Sequence, residues 1–338
     1  MEMKVFLILN IICSIAAAGP GVFLITDPVD HSECPTWDSR NNLLYFVNIH
    51  AGEIYRYHYE NEEIEVIKLD GEIAPVIPSK RDPNLLIAGL NRSIVAVEWN
   101  QTSSSDTRIL TTLSNQFPTS RVNDGKADNQ GRLWIGTMGY ENSSGLTPNQ
   151  GVLYQVACKT LNSPLVEIAP LNISNGMAWN KANDKLYYID TPTRQVVEYA
   201  YDEESGIISN RRVAFDMRNY SDRLGGNPDG MTIDEDDNLW VALFGGGAVI
   251  KVNPANGQLL QIVAIPAEDV TSVMWGGPNL DVLYVTTSRY SLSQEDRLKQ
   301  PVAGAVFGVV GLYTKGLPMN AVDLLGSIDD QSCGTTRN

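Results

Sequence analysis

The sequence has few cysteines, and this shortage excludes two classes of protein. Only 4 of the 338 residues are cysteine, and one of them lies in the apolar leader described below. The remaining three, Cys34, Cys158 and Cys333, allow at most one disulfide and one free thiol. The chain is therefore neither a disulfide scaffold nor a protein with a cysteine-rich zinc site. We interpret Cys34 as a buried free thiol that behaves as a small apolar residue.

Histidine is also scarce, which limits the chemistry that the chain can perform. The three histidines, His31, His50 and His58, lie near the start and have no metal-binding spacing. We interpret them as surface residues or as loop residues with satisfied hydrogen bonds. No Ser-His-Asp or Cys-His constellation is present, which excludes those nucleophilic mechanisms.

Basic residues are too few for a nucleic-acid partner or an anionic membrane. The chain has 25 Lys and Arg against 40 Asp and Glu, a formal net charge of -15. Both of those partners reward a basic face. No segment reaches the roughly 18 consecutive apolar residues of a membrane span. We therefore expect a monomer whose partner is a small molecule, with no nucleic acid and no membrane.

The first residues have the pattern of a secretory signal. Lys4 precedes an apolar run over residues 5–15, and three alanines end at Ala18. This pattern predicts cleavage after Ala18 and a secreted protein. Five glycosylation sequons agree with secretion, although several would occur by chance in this composition. They are at Asn91, Asn100, Asn142, Asn172 and Asn219. The chain is expected to be a glycoprotein.

From residue 19 onward the pattern is that of strands and turns. Short apolar segments rich in Val, Ile, Tyr and Trp alternate with Asn, Asp, Gly and Pro, and long helical patterns are missing. A marker recurs every 41 to 53 residues, at Leu44-Tyr45, Leu86-Ile87, Leu133-Trp134, Leu186-Tyr187, Leu239-Trp240 and Leu283-Tyr284. Each unit has four strand patterns. The repeat predicts an all-β, six-bladed β-propeller over residues 19–338, with a tail from about residue 325; a solenoid is the alternative.

Four of the six units carry a metal-capable oxygen at one register. Counted forward to the Leu of the marker, the distances are 11 residues from Glu33, 10 from Asn123, 11 from Asn175 and 10 from Asp229. The first strand of each blade lines the central channel, so these side chains should meet at one mouth. Carboxylate and amide oxygens without His or Cys suit Ca²⁺, Mg²⁺ or Mn²⁺, with Zn²⁺ less preferred.

Three segments in order resemble the senescence marker protein, gluconolactonase and luciferin-regenerating enzyme family. They are Arg121-Val122-Asn123-Asp124-Gly125-Lys126, Ile173-Ser174-Asn175-Gly176 and Pro228-Asp229-Gly230. The similarity runs from about Glu33 to Lys315. It implies a six-bladed propeller that holds one divalent cation (Ca, Zn, Mn or Mg) and hydrolyses sugar lactones.

The resemblance also implies a role for each site residue. Glu33, Asn175 and Asp229 would be metal ligands, with Asp229 also the proton acceptor, and the substrate would be held by Arg121, Asn123 and Glu141. A cation can polarise a lactone carbonyl while Asp229 takes a proton from water. Two alternatives stay open: a secreted Ca²⁺-binding or ligand-binding propeller without turnover, and hydrolysis of other esters at the same mouth.

Overall fold

The computed structural model describes residues 19–99, 105–113, 117–142 and 145–325, and almost all of their regular structure is β-strand. Six antiparallel sheets of four strands each account for it, together with a short hairpin, Glu141–Asn142 with Gly145–Leu146. One α-helix, Gln294–Lys299, is present in this part of the chain. Three short 3-10 turns complete the elements: Cys158–Thr160, Thr191–Thr193 and Met217–Tyr220. The prediction of an all-β, six-bladed propeller is confirmed.

The blades follow one another along the chain, and in the first five the four strands pair in sequence order. Blade 1 consists of Ser32–Asp38, Leu43–Asn48, Glu53–His58 and Ile64–Lys68, and blade 2 of Ile73–Pro78, Leu85–Leu90, Ser93–Trp99 and Ser105–Thr112. Blade 3 consists of Arg121–Ala127, Leu133–Met138, Gly151–Val156 and Leu165–Leu171. Blade 4 consists of Ser174–Trp179, Lys185–Asp190, Gln195–Tyr201 and Ile208–Asp216, and blade 5 of Asn227–Ile233, Leu239–Phe244, Ala248–Asn253 and Gln258–Ala264.

Blade 6 joins the two ends of the described chain. Its strands Asp269–Gly276, Val282–Ser288 and Phe307–Val310 are completed by Gly21–Leu24, which pairs with Phe307–Val310. The helix and the turn after it precede the third of these strands, which begins at Phe307. Because the outermost strand comes from the start of the chain, this blade closes the ring through backbone hydrogen bonds.

The first strands of the six blades form a closed circle. Each contacts the first strand of the next blade, and the first strand of blade 6 contacts that of blade 1. Every side chain of Ser32–Asp38, Ile73–Pro78, Ser174–Trp179 and Asp269–Gly276 is buried. The circle therefore encloses the central channel that the propeller prediction required.

Stability comes from the spaces between blades. Six apolar clusters are present, and each combines residues of two neighbouring blades. Blades 6 and 1, for example, share a cluster in which Trp37 stacks on Tyr284 with ring centroids 5.7 Å apart. Packing blade against blade in this way covers both faces of every sheet.

Blades 3 and 5 each have a turn with a buried aspartate directly before their second strand. In blade 5, Asp234 accepts a hydrogen bond from Trp240 Nε1 at 3.0 Å and pairs with Lys251 Nζ at 2.8 Å. In blade 3, Asp128 accepts from Trp134 Nε1 at 3.0 Å and from Arg132 Nε at 2.6 Å. Both aspartates also accept backbone N–H bonds, so each one fixes the turn that leads into its strand.

The end of the chain covers one opening of the channel. Residues 315–323 run beneath the blades, where Val322 bonds to Pro78 and Lys80, Asp323 bonds to Gly131, and Gly316 bonds to Leu280. Since these partners follow or end first strands, the opposite opening is the mouth at which first strands begin. None of the described helices is long and apolar enough to cross a membrane.

Candidate functional site

The four predicted oxygen residues do share one position in the fold. In each blade we count four residues back from the strand partner of the marker Leu, and we call this the inner-ring position. The partners are Trp37, Pro78, Ala127, Trp179, Ile233 and Trp275. The inner-ring positions are accordingly Glu33, Ala74, Asn123, Asn175, Asp229 and Thr271. Ala74 and Thr271 offer no carboxylate, as the sequence indicated.

Three carboxylates are buried together at this level. Glu33, Asp124 and Asp229 are only 5 to 7% exposed. Burial, with repulsion from Asp124, raises the pKa of Glu33 to about 8. Burial, followed by repulsion from Glu33 and Asp124, raises the pKa of Asp229 well above its ordinary value. Repulsion from neighbouring carboxylates therefore opposes the ionisation of Glu33 and Asp229, so ionising these groups together requires a compensating positive charge.

The nearby cations do not offset this charge. Arg121 acts favourably on Glu33, and Lys126 acts favourably on Asp124, yet burial keeps both carboxyl pKa values raised. Burial in turn lowers the pKa of Lys126 to about 8. The concentration of buried carboxylates thus lacks an internal counter-charge of matching size.

Asn175 supplies a test of whether these residues fit a cation. Its Nδ2 donates to Thr191 Oγ1 at 3.0 Å, and its side chain lies near enough to Asp229 to favour the charged form of that carboxyl group. Its carbonyl Oδ1 is buried and has no hydrogen-bond partner. An unpartnered amide oxygen beside buried carboxylates is a donor set for a hard divalent cation. The residues present fit such an ion.

The amide is necessary to this interpretation. Within the part of the chain that the structure describes, no three His, Cys, Asp or Glu side chains are grouped as a metal site by themselves. The predicted set of Glu33, Asn175 and Asp229 contains only two carboxylates, so it depends on Asn175. Its role as a ligand set stays a prediction.

Asp124 was not singled out from the sequence. A β-bulge between Val122 and Gly125 places Asn123 and Asp124 together opposite a single residue of the neighbouring strand. The bulge interrupts the alternation by which a sequence assigns side chains to faces. As a result Asp124 reaches the carboxylate cluster.

Asn123 instead joins blade 3 to blade 4. Its Oδ1 accepts from Arg121 Nη1 at 2.9 Å, while its Nδ2 donates to Ser174 O at 3.0 Å. The first bond orients the guanidinium that was predicted to hold substrate. Contact between Asn123 and substrate stays a prediction.

A cavity of about 460 Å³ opens at the mouth. Arg121 and Glu141 both line it, so two of the three predicted substrate residues face the same space. Glu141 lies exposed on the short hairpin between the second and third strands of blade 3, and its charge acts on Arg121. The buried carboxylates Glu33, Asp124 and Asp229 lie next to this cavity, two or three residues further along the first strands than the outermost positions at the mouth.

A second ring of equivalent positions lines the mouth. Two residues before each inner-ring position lie His31, Glu72, Arg121, Ile173, Asn227 and Asp269. We call these the outer-ring positions. His31, Glu72 and Arg121 line the cavity. Side chains two residues apart on a strand share a face, so each outer-ring side chain is expected on the same face as its inner-ring neighbour. His31 and Glu72 were not predicted as site residues, because they lie outside the register that Glu33, Asn123, Asn175 and Asp229 share.

His50 and His58 fit their sequence interpretation as residues with satisfied hydrogen bonds, whereas His31 differs from it. His58 Nε2 is paired with Glu65 Oε2 at 2.8 Å and is satisfied. His31 and His50 instead line the mouth cavity, and the Nδ1 atom of His31 is buried without a hydrogen-bond partner. Burial, with the nearby charges of His50 and Arg121, lowers the pKa of His31 to about 3, so its ring is neutral.

Cys34 is a free, buried cysteine, as interpreted from the sequence. Its Sγ lies 3.7 Å from Asn123 O and 3.9 Å from Asp124 Oδ1. Burial and the neighbouring Glu33 raise the pKa of the thiol well above its usual value. A thiol in this state is a poor nucleophile, so Cys34 is a packing residue.

Residues 31–289 match the SMP-30/Gluconolactonase/LRE-like region family. Human regucalcin is 33% identical over 286 residues, covering 84% of this chain and 92% of regucalcin. A Bacillus subtilis (strain 168) protein, YvrE, provisionally named a sugar lactone lactonase, is 33% identical over 276 residues, 81% of this chain and 89% of its own. A solved luciferin-regenerating enzyme superposes with a TM-score of 0.84 at 34% identity, covering 90% of this chain and 100% of that one.

The fold is thus a six-bladed propeller with a cavity at one mouth of its channel and buried carboxylates beside it. The chain belongs to the SMP-30, gluconolactonase and LRE-like family. The resemblance noted in the sequence is confirmed.

Proposed function

We propose that the chain is a hydrolase that depends on a divalent cation and opens sugar lactones. One observation carries the proposal: the buried carboxylates Glu33 and Asp229 act on each other, and Asp229 lies beside Asn175, whose carbonyl oxygen is buried without a partner. Arg121, two residues before an inner-ring position, lines the cavity at the mouth. The family to which the chain belongs includes gluconolactonases by name. Glu33, Asn175 and Asp229 would hold the cation.

A cation held there would polarise the lactone carbonyl and make water more acidic. The protein's own residues supply the remaining steps. Asp229 accepts a proton from the attacking water, for which a carboxyl group with a raised pKa is suited. Water adds to the carbonyl carbon, the ring C–O bond breaks, and the departing ring oxygen takes up a proton to give the hydroxy acid.

Arg121 is placed to hold the substrate. Because Nη1 is occupied by Asn123 Oδ1 and Val122 O, the guanidinium has a fixed orientation at the cavity wall. It can donate hydrogen bonds to sugar hydroxyls or to the oxyanion that develops on the carbonyl. Glu141, across the same cavity, can accept hydrogen bonds from sugar hydroxyls.

The test is aldonolactone opening, followed as acid release, with and without a chelator. Chelation and Asp229→Asn should each reduce the rate by at least about a hundredfold, while the exposed control Asp236→Asn should not. Asp229→Asn should still fold, because it removes a costly buried charge. Activity that survives both chelation and the substitution contradicts the proposal. Cation binding without any turnover would favour the alternative of a binding propeller.

We also propose that the protein is secreted. The proposed signal, residues 1–18, lies outside the described residues, as do the sequon at Asn100 and the tail beyond residue 325. Of the other sequons, Asn219 is exposed, whereas Asn91 and Asn172 make side-chain hydrogen bonds. Expression in animal cells should place the protein in the medium, and deletion of residues 1–18 should retain it. A glycan, if attached, is expected first at Asn219.

A further inference from the structure

Three aromatic rings pack against one another at the mouth cavity. His50 and Tyr290 are stacked, with centroids 3.9 Å apart and planes 25° apart. His31 meets His50 edge-on at 5.3 Å and lies 6.1 Å from Tyr290. All three line the cavity of about 460 Å³ that also holds Arg121. We call His31, His50 and Tyr290 the ring shelf.

The shelf is held in place by a carboxylate that also contacts the substrate arginine. Glu72 Oε1 is 2.7 Å from His50 Nδ1, and Glu72 Oε2 is 3.7 Å from Arg121 Nε. Glu72 therefore fixes the spacing between the His50 ring and the guanidinium of Arg121. A ligand that contacts the shelf is placed with its polar end near Arg121.

The other residues that line the cavity are also of two kinds, apolar and polar. Met138, Tyr140 and Phe244 add apolar surface, whereas Thr119, Glu141, Ser288 and Ser291 add polar groups. The exposed ring of Tyr290, stacked on His50 and in the same cavity as Arg121, suits a molecule with a planar ring at one end and an acyl group at the other.

We propose that the ring shelf of His31, His50 and Tyr290 binds a planar, aromatic part of the substrate, so that lactones or esters carrying an aromatic ring are preferred over purely aliphatic ones. This inference rests on the proposed hydrolysis for its catalytic consequence, but not for its binding consequence. The acyl carbonyl lies towards Arg121 and the inner ring, and the aromatic group lies against the stacked pair. Glu72 is a positioning residue for this arrangement.

Binding is tested with two unreactive carboxylates of similar size. Phenylacetate has a flat aromatic ring, and cyclohexylacetate has a puckered aliphatic one. Calorimetry should show phenylacetate binding more tightly, and Tyr290→Ala should weaken it by roughly two- to tenfold, the range for one aromatic contact. Tyr290→Phe should retain it. Tyr290 is 54% exposed, so its truncation should leave the fold intact, and Tyr313→Ala, at an 83% exposed tyrosine outside the cavity, is the matched control.

Catalysis is tested with a second matched pair, 3-isochromanone and δ-valerolactone, which are both six-membered lactones with an alkoxide leaving group and differ by a fused benzene. The kcat/KM ratio should favour 3-isochromanone, and Tyr290→Ala and His50→Ala should each lower that ratio, chiefly through KM. Glu72→Gln should lower it less than Glu72→Ala. If no lactone is opened but phenylacetate still binds selectively, the proposed function fails and the shelf stands. Equal binding of both carboxylates, or a ratio unchanged by Tyr290→Ala, overturns the shelf.

Discussion

Removal of the Glu33 carboxylate should change how the stability of the cation-free protein depends on pH. The pKa of Glu33 is about 8 in the folded protein and 4.5 in the unfolded chain. Between these values the folded state binds more protons than the unfolded state, so the free energy of unfolding falls as pH rises. The slope from one such group is about 1.4 kcal/mol per pH unit, or about 5 kcal/mol across the window.

Urea unfolding in the presence of a chelator, at pH 5, 6, 7 and 8, measures this slope. Wild type should lose stability relative to Glu33→Gln as the pH rises, and the difference should approach a constant only above about pH 8. The comparison with Glu33→Gln removes the contribution of groups that titrate in both proteins. Parallel stability curves for the two proteins would show that Glu33 is not held protonated by burial.

The same shift predicts how a cation binds. A ligand carboxyl with a pKa of about 8 is roughly nine-tenths protonated at pH 7, so binding there must release close to one proton from Glu33. The apparent affinity for Ca²⁺ should therefore rise about tenfold from pH 6 to pH 7. Calorimetry in buffers of different ionisation enthalpy counts the released protons. An affinity that is constant from pH 6 to pH 8 would refute the assignment of Glu33 as a ligand.

Three further predictions concern other parts of the structure. Gly176→Ala should destabilise the folded protein by about 1 to 3 kcal/mol and reduce activity, because the new Cβ would lie 2.6 Å from Met231 N and 2.7 Å from Asp229 O. The control Gly225→Ala, whose new Cβ has its nearest atom 3.7 Å away, should leave thermal unfolding nearly unchanged. Asp234→Ala should cost about 3 to 5 kcal/mol in urea unfolding, because it leaves Lys251 unpaired and Trp240 Nε1 without its acceptor, while Asp236→Ala at the same turn should not. Arg121→Ala should lower kcat/KM for lactones by about a hundredfold or more, with the exposed Arg108→Ala unchanged; equal activity of the two would remove Arg121 from the mechanism.

The repeat made the fold predictable from the sequence. The marker Leu residues give the number of blades, and the count from each marker gives the inner-ring position, because strand pairing converts equal spacing into equal height in the channel. Glu33, Asn175 and Asp229 could therefore be chosen without coordinates. The closing strand Gly21–Leu24 could not, since its pairing with Phe307–Val310 joins chain ends and has no local signal.

The mouth was less predictable for a different reason. Asp124 reaches the cluster through a bulge, which no alternation pattern reveals. His50 and Tyr290 come from loops after second strands of different blades, and only the closed ring brings them to 3.9 Å. His31 and Glu72 did carry a signal, because each lies two residues before an inner-ring position. A search at that spacing would have found them with Arg121.

The two rings divide the tasks of the site between them. Two inner-ring positions hold buried carboxylates, Glu33 and Asp229, and burial together with repulsion from neighbouring carboxylates raises the pKa values of both, as expected of residues that would hold the proposed cation. Three outer-ring residues, His31, Glu72 and Arg121, line the cavity, where they are placed to contact a ligand. The side chain of Glu72 is 40% exposed, so it can change with little loss of packing. Substrate preference should therefore vary within such propellers mainly at outer-ring positions and the loops beside them, while the inner ring keeps its oxygen ligands.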